Sequence, residues 1–573
     1  MRAVEEEIPK CLGKVASSIA RKKRKLKKTK GKAPPTSFSL LKTDSTRELV
    51  EQDLNEASES GKAWGQLCGD GETFLRVAAG PDDAFMFRIV VNPPRVTSLT
   101  CKLDRALVGY PLLPNVEAEF ASKLRWEWVS DSGTDERVVG TERIYIPSPQ
   151  DQGCMLRVRC TPCDHETGQC GRSCAHFIPA AVEAAPQPAA LELRREYLAR
   201  ELPPGSFRVV CYNILSKTYC LNAYADTKLY PYCDNRYRQT GYRMQLVLKE
   251  LASYRGDICC LQECDARTFD EILFPYFSLQ GYQGRHSEKS GTVAEGCAMF
   301  YNSSRFTLES FHPLSMKEIV PKVPELQKLW QEVPHALEIV VMKLTTIAQI
   351  ATFEVVGQPT VRLLCVNTHL FYHPDAPHMR LMQLVALMRK LQELREGVIA
   401  RGLTPRVVTC GDFNSIPTSV VRYLLGDEIG PDHHVWRKAR SFCWGARQSE
   451  AEAAPAADSR ETLPAAAEDS ASESGGCHES SSTNQEPNLS GIVPPMKLSL
   501  DLFSCYGDGP EFTNFTPDFT ETLDYILVDR GFQVAAVAPF PEEEALRQKT
   551  PGLPTEEYPS DHLALVADLL WGP

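Results

Sequence analysis

The chain has 573 residues, enough for two or three domains, and its 43% hydrophobic and 24% charged content is that of an ordinary globular protein. A formal charge of −11 excludes whole-molecule electrostatic capture of nucleic acid, so a polyanionic substrate requires a local basic surface or a metal. No uninterrupted apolar run reaches membrane-spanning length, so a soluble protein with no membrane partner is expected.

Residues 1–36 read as a basic disordered tail. The run Arg21–Lys32 is densely cationic; a solvated tail is the preferred reading, with nuclear targeting or RNA contact as alternatives. Glu5, Glu6 and Glu7 make the start a poor match to a mitochondrial presequence, and no secretory apolar segment follows Met1. Of the 20 cysteines, Cys211, Cys259, Cys260, Cys365 and Cys410 sit in apolar strand-like runs and read as reduced core thiols of an intracellular protein.

Residues 37–180 read as a β-rich accessory domain. Strand-like runs fall at Phe74–Val77, Phe85–Val91, Arg125–Val129, Glu142–Ile146 and Met155–Cys160, with turn formers between several of them. Two packed sheets would bury them, and no catalytic constellation appears. Cys160, Cys163, Cys170 and Cys174, with His165 and His176, offer zinc ligands. The second pair is spaced by three residues and only six separate the pairs, so free thiols in a loop are preferred over zinc. Residues 181–205 read as a linker, with a helix over Leu191–Arg200.

From residue 206 buried strands alternate with amphipathic helices, an α/β pattern. Strands are expected at Phe207–Tyr212, Asp257–Gln262, Ala298–Tyr301, Val361–Asn367, Arg406–Cys410, Thr522–Val528 and His562–Leu569. Met244, Val247, Leu248 and Leu251, and likewise Leu381, Leu384, Val385 and Met388, recur with helical spacing as core stripes. An acidic, Ala/Glu/Ser/Pro-rich stretch, Trp444–Pro494, interrupts this domain; residues 446–492 read as a disordered insertion.

The strand ends carry the chemistry. They deliver Asn213, Glu263, His369, Asp412 with Asn414, Asp524, and Asp561 with His562. Gly411 is expected to turn the chain sharply ahead of Asp412 and Asn414. Each residue alone has a bland reading: an Asx turn, an ion pair, a satisfied core histidine. Together, on rigid elements, they are what metal-assisted phosphodiester hydrolysis requires.

In order along the chain, CYNILSKTY, CLQECD, NTHLFYHP, GDFNSIPTS, FTNFTPDF and LDYILVD resemble the exonuclease–endonuclease–phosphatase superfamily, and within it the poly(A)-deadenylase branch. Upstream, NPPRVTSLTC, WEWVSD and ERIYIPSPQDQGCMLRVRCTP resemble the 2′,5′-phosphodiesterases of that superfamily. The resemblance implies a four-layer αββα sandwich for residues 206–573, preceded by the β-rich domain. It implies Mg²⁺, with Mn²⁺ possible, held chiefly by Glu263, with Asp412, Asn414 and Asp561 near the metal. Asp412 would activate water, His562 oriented by Asp524 would donate to the phosphate, and Asn213, His369 and Asn414 would support it. Phe519 would stack on adenine. The implied substrates are poly(A) tails and 2′,5′-oligoadenylate, and the implied location is the mitochondrial matrix, with cytoplasm or nucleus as alternatives. Competing readings are a catalytically silent RNA-binding scaffold, which would be free to lose Glu263, Asp412 or His562, and a lipid or inositol phosphatase, against which the TNFTPDF loop argues.

Overall fold

The computed structural model describes residues 93–572 apart from 166–167, 292, 335–340, 438, 440–441 and 443–488, together with four earlier strands within 37–89. The basic run Arg21–Lys32 and most of the acidic insertion lie outside the described residues. Those four strands, β1 (Ser37–Thr43), β2 (Leu49–Asp53), β3 (Thr73–Ala78) and β4 (Ala84–Ile89), pair antiparallel in the order β2-β1-β3-β4.

Next come the paired strands β5 (Arg95–Cys101) and β6 (Pro114–Glu119). A second sheet, ordered β10-β9-β7-β8, follows from β7 (Lys123–Asp131), β8 (Glu136–Gly140), β9 (Met155–Cys163) and β10 (Cys174–Phe177). Along β9, buried Leu156, Val158 and Cys160 alternate with more exposed Arg157 and Arg159, the period of a sheet with one covered face. The strand expected over Glu142–Ile146 does not form. Tyr145 makes a lone bridge to Leu112, stacks on Trp128 and donates its hydroxyl to buried Asp151 at 2.6 Å. The side-chain bonds of Asp151, which also accepts from the Ser148 N–H, bend the segment out of any ladder.

The cysteine cluster departs from both earlier readings. Cys163 and Cys170 form a disulfide across an antiparallel bridge, while Cys160 and Cys174 stay thiols as cross-strand partners. Strand pairing sorts the four cysteines into two separate pairs instead of arranging them around one point. The expected helix over Leu191–Arg200 is two short ones, Ala189–Leu193 and Arg195–Ala199. The break is at buried Arg194, whose guanidinium donates to Tyr254 Oη, Ala564 O and Pro539 O.

The remaining strands are β11 (Ser206–Asn213), β12 (Ile258–Asp265), β13 (Tyr282–Glu288), β14 (Glu295–Asn302), β15 (Phe306–Ser315), β16 (Ile347–Val355), β17 (Gln358–His369), β18 (Thr404–Asp412), β19 (Leu502–Ser504), β20 (Asn514–Phe515), β21 (Thr520–Glu521), β22 (Asp524–Asp529), β23 (Phe532–Val537) and β24 (Leu565–Trp571). Two six-stranded sheets result, β13-β14-β12-β11-β24-β23 and β15-β16-β17-β18-β22-β19. Val209, Cys211, Cys260, Leu363, Cys365, Val408 and Cys410 fill the space between them. Their neighbours Val210, Tyr212 and Cys259 face outward, onto helix α1 (Thr240–Tyr254) and the second sheet. Leu364, Val366 and Val407 pack against helix α2 (Pro377–Ala400). This is a mixed α/β fold in four layers, αββα. Both faces of each central strand are covered, which is why the strands read as unbroken apolar runs.

The β-rich part and the α/β part share one core. Leu103, Ala106, Trp128 and Val158 cluster with Met244, Val247 and Leu248 of α1. Approach is so close at Gly241 that a Cβ there would lie 1.7 Å from Asp104 Oδ1. The far end of the acidic stretch also departs from expectation: Leu489 and Val493 are buried in the apolar cluster around α2. No described helix is long and apolar enough to cross a membrane.

Candidate active site

Chain direction gathers the polar strand ends. β11 runs parallel to β12, and β17 parallel to β18, so Asn213, Glu263, His369 and Asp412 all lie towards the C-terminal ends of strands. β22 is antiparallel to β18 and pairs its first residue, Asp524, with Asp412. β24 is antiparallel to β11, so the residues before it, Asp561 and His562, reach the same end. His562 is thus not on the last strand, as expected, but precedes it and bridges Asn514.

Two backbone features aim the carboxylates. Glu263 sits at a bulge in β12, where the register slips between Leu261 and Cys264, and has φ +54°. A left-handed non-glycine residue costs on the order of 1–3 kcal/mol, and bulges serve to re-aim side chains. At the GDFN stretch the expected sharp turn is not at Gly411, which continues β18. A Cβ on Gly411 would come within 2.3 Å of Thr368 O, so glycine there permits close approach of β17. The left-handed residue is Asn414, φ +48°. Its N–H donates to Asp412 Oδ1 at 2.8 Å, an Asx turn, and its Nδ2 donates to Leu370 O at 2.9 Å.

Asn213 is the hub. Its Nδ2 donates to Glu263 Oε1 and to Asp412 Oδ2, each at 3.0 Å, and its Oδ1 accepts the Leu215 N–H. Glu263 Oε2 accepts the Ser216 N–H at 2.9 Å. Asp412 Oδ2 lies 3.6 Å from His369 Nε2 and 3.7 Å from His562 Nε2. His562 Nδ1 is 2.7 Å from Asp524 Oδ2. Asp561 accepts from the Tyr230 hydroxyl at 2.8 Å, and its carbonyl accepts the Phe515 N–H. The β20–β21 hairpin begins there and carries Phe519, 43% exposed, at its tip.

Burial pushes Glu263 up to about 8, with the nearby Glu295 and Asp561 carboxylates adding to it against the Asn213 and Ser216 hydrogen bonds. Glu263 keeps partial access to solvent, so the cleft is open to a ligand at that carboxylate. Burial and Asp524 raise Asp412 to about 6, opposed by His562, Asn213 and Asn414. Burial alone would lower His562, but Asp524, Asp412 and Asp561 hold its pKa well above the usual value, making it an imidazolium. His369 is pushed well down by burial, Lys289 and His562, and is neutral.

Asp412, Asp524 and His562 offer ligand atoms all within 4.8 Å of one another, a nominal metal triad. The surrounding carboxylates hold the pKa of His562 well above its usual value, which disfavours the ring as a ligand there. Glu263 fits a cation better: it is partly accessible, it is destabilised as an anion by neighbouring carboxylates, and it is a hard oxygen donor suited to a small divalent ion.

A family model described as the Endonuclease/Exonuclease/phosphatase family matches residues 210–562. The chain belongs to the endonuclease/exonuclease/phosphatase family. As a member it is a hydrolase of the nuclease and phosphodiesterase class. Human 2′,5′-phosphodiesterase 12 is 29% identical over 537 residues, spanning 87% of this chain and 78% of that protein. The CCR4-Not complex 3′-5′-exoribonuclease subunit Ccr4 of Mycosarcoma maydis is 24% identical over 399 residues, 65% of this chain and 51% of that one. The solved structure of ANGEL2, described as a 2′,3′-cyclic phosphatase, aligns at 20% identity with a TM-score of 0.47, over 64% of this chain and 95% of that one.

Several residues around this cleft carried too little sequence signal to be named. Buried Glu295 pairs with Lys289 and accepts from the Tyr219 hydroxyl at 3.0 Å, next to Glu263. Both charged residues lie in a polar stretch where β13 and the start of β14 were not expected. Behind the site, Gln262 donates to Asn367 Oδ1 at 2.8 Å, and Asn367 to Gln349 Oε1 at 3.1 Å, between the sheets. Tyr219 lies inside CYNILSKTY and Gln262 inside CLQECD, so those motifs were the available signal.

Proposed function

We propose that the chain is a Mg²⁺-dependent phosphodiesterase and 3′-exoribonuclease that degrades 2′,5′-linked oligoadenylate and removes adenylates from poly(A) tails, with Mn²⁺ as an alternative ion. The observation that carries this reading is the buried junction in which one amide, Asn213, ties Glu263 to Asp412 while Asp524 keeps His562 protonated. The likeness to human 2′,5′-phosphodiesterase 12 supports the first linkage, and that to a 3′-5′-exoribonuclease subunit supports the second.

Glu263 would hold the cation, with Asp561 in its wider shell, and the bound ion would supply charge stabilisation for in-line displacement at phosphorus. Asp412 accepts the proton of the attacking water; a carboxylate raised to about 6 is a stronger base than an ordinary one and remains ionised at neutral pH. Asn414 fixes Asp412 through its N–H, and Asn213 fixes the other oxygen. His562 donates from Nε2 to the phosphate, since its Nδ1 is held by Asp524. Neutral His369, 3.6 Å from Asp412, would also contact the phosphate, and Phe519 would offer its ring to adenine.

Turnover of 2′,5′- and 3′,5′-linked triadenylate by the purified chain, with Mg²⁺ and with chelator, tests this reading. Mg²⁺-dependent release of adenylate from both is expected. Absence of cleavage of either would reject it.

A further inference from the structure

Tyr230 lies in the segment between Cys220 and Arg238, which packs a small core from Leu215, Cys220, Ala225, Tyr230 and Cys233. Buried Arg238 braces that segment, donating to Cys220 O at 2.7 Å and pairing with Asp226. The Tyr230 N–H donates to Ala225 O at 2.8 Å and its carbonyl accepts the Cys233 N–H at 3.0 Å, so the backbone at this tyrosine is fixed. Its side chain is buried, and a buried phenol requires a partner for its hydroxyl.

The same segment and the start of α1 hold the stretch that leads into His562. Tyr232 Oη donates to Leu553 O at 2.5 Å, Tyr242 Oη to Glu556 O at 2.8 Å, and Arg243 to Pro559 O at 3.1 Å. Those three bonds end on main-chain carbonyls and shape the backbone. Tyr230 differs from them. Its hydroxyl donates to a carboxylate oxygen at the site, Asp561 Oδ2, at 2.8 Å.

The two oxygens of Asp561 are thereby made unequal. Oδ2 is taken by Tyr230. Oδ1 lies 3.5 Å from the Ser560 hydroxyl, which has a single proton to give and donates it to Asn213 O at 2.7 Å. Oδ1 is therefore the oxygen left for a ligand or its water. Burial, and then the Asp561 and Glu263 carboxylates, push the Tyr230 phenol well above its usual range, so it keeps its proton and stays a donor. The phenol thus feels both carboxylates assigned to the cation while bonding to one of them.

We infer that Tyr230 is a positioning residue for the cation: it holds one oxygen of Asp561 so that the other is presented to the ion's water shell. The inference rests on the reading of the Glu263 cleft as a divalent-cation centre. Tyr230 acts through Asp561, as the outer hydrogen-bond partners of metal-site carboxylates do, and its effect falls on metal affinity before it falls on the chemical step.

The test compares the purified full chain with Tyr230→Phe, Asp561→Ala and the double variant. Each is melted in chelator, melted over a Mg²⁺ titration without substrate, and assayed for adenylate release over the same titration. Tyr230→Phe keeps the ring and removes only the donor. Its melting point in chelator should change little, because Asp561 is half-buried and water can replace the hydroxyl. The Mg²⁺ concentration giving half the thermal shift, and half the maximal rate, should rise by roughly tenfold, with a smaller loss of rate at saturating Mg²⁺. Asp561→Ala should show at least that rise, and Tyr230→Phe should add nothing to it in the double variant. An unchanged Mg²⁺ dependence, additive losses in the double variant, or a melting point in chelator far below that of the wild type would each overturn the inference. So would a wild-type chain whose melting does not respond to Mg²⁺. A wild-type chain that responds to Mg²⁺ but cleaves neither linkage rejects the oligoadenylate reading alone, and the melting titration still decides the role of Tyr230.

Discussion

Glu263 and Asp412 are carboxylates joined through a single amide, yet their surroundings separate their roles. Glu263 is crowded by Glu295 and Asp561, whereas Asp412 faces the His562 imidazolium. Glu263→Ala should raise the Mg²⁺ concentration needed for half-maximal rate, and excess metal should restore part of the rate. Asp412→Asn keeps size and hydrogen bonding but removes the base, so a loss of about 10²–10⁴-fold is expected that metal does not rescue. A Mg²⁺ titration of both variants at saturating substrate decides; rescue of Asp412→Asn alone would reverse the assignment. Stability carries a second signature of Glu263. Its pKa rises from 4.5 to about 8 on folding, so its contribution to stability is complete below the lower value and is lost as pH climbs through the upper one. Metal-free protein should therefore melt progressively lower across that interval, and added divalent cation should raise the melting temperature more at about pH 9 than at about pH 5. Glu263→Gln should flatten both trends. Equal metal-induced shifts at the two pH values would count against a cation at Glu263.

At the scale of elements, the turn after β18 shows how backbone conformation and side-chain chemistry meet in one residue. Asn414 combines a left-handed backbone with two hydrogen bonds that brace Asp412 and Leu370. Asn414→Gly keeps the backbone freely, whereas Asn414→Ala must pay the left-handed strain, so the alanine variant should be less stable than the glycine one by ~1 kcal/mol. Both lose the amide bond to Leu370 and should lose turnover. Denaturant unfolding of the pair checks the difference, and equal stabilities would show that strain at this turn is not what asparagine relieves. The helix-spaced stripes on α1 and α2 and the apolar runs of the central strands follow directly from periodicity. The breaks at Arg194 and Tyr145 do not, because each answers to a polar partner distant in space or buried beneath it.

For the whole molecule, the question is which parts are needed to hold the site. Phe442 and Leu489 enter the same apolar cluster, so the chain leaves and rejoins one core across the acidic stretch between them. Deleting residues 449–486 and joining the ends with a short polar linker should leave turnover within a few-fold; loss of activity in a folded deletion protein would reveal a role for that stretch. The β-rich part is different. Leu103, Ala106 and Trp128 cover an apolar face shared by Met244, Val247 and Leu248 of α1 and by Val210 and Tyr212 of the sheet bearing Asn213 and Glu263. A chain beginning at Leu191 should expose that face and melt well below the full protein or aggregate. A fragment that melts like the intact chain would show that the shared core contributes little.

The identities of the strand-end residues, the apolar runs they terminate and the two helical stripes are legible in the chain alone, because period and residue type are local properties. Their order along the chain also carries the family. What they do together depends on pairing. That Asp524 opposes Asp412, that His562 stands before β24, and that Asn213 bridges Glu263 to Asp412 follow from strand directions spanning hundreds of residues. The cysteines sort into a disulfide and a thiol pair by register, not by spacing. Glu295 beside Glu263 is likewise a product of packing. Electrostatic shifts and exposed rings depend on neighbours in space, and those neighbours exist only once the layers close.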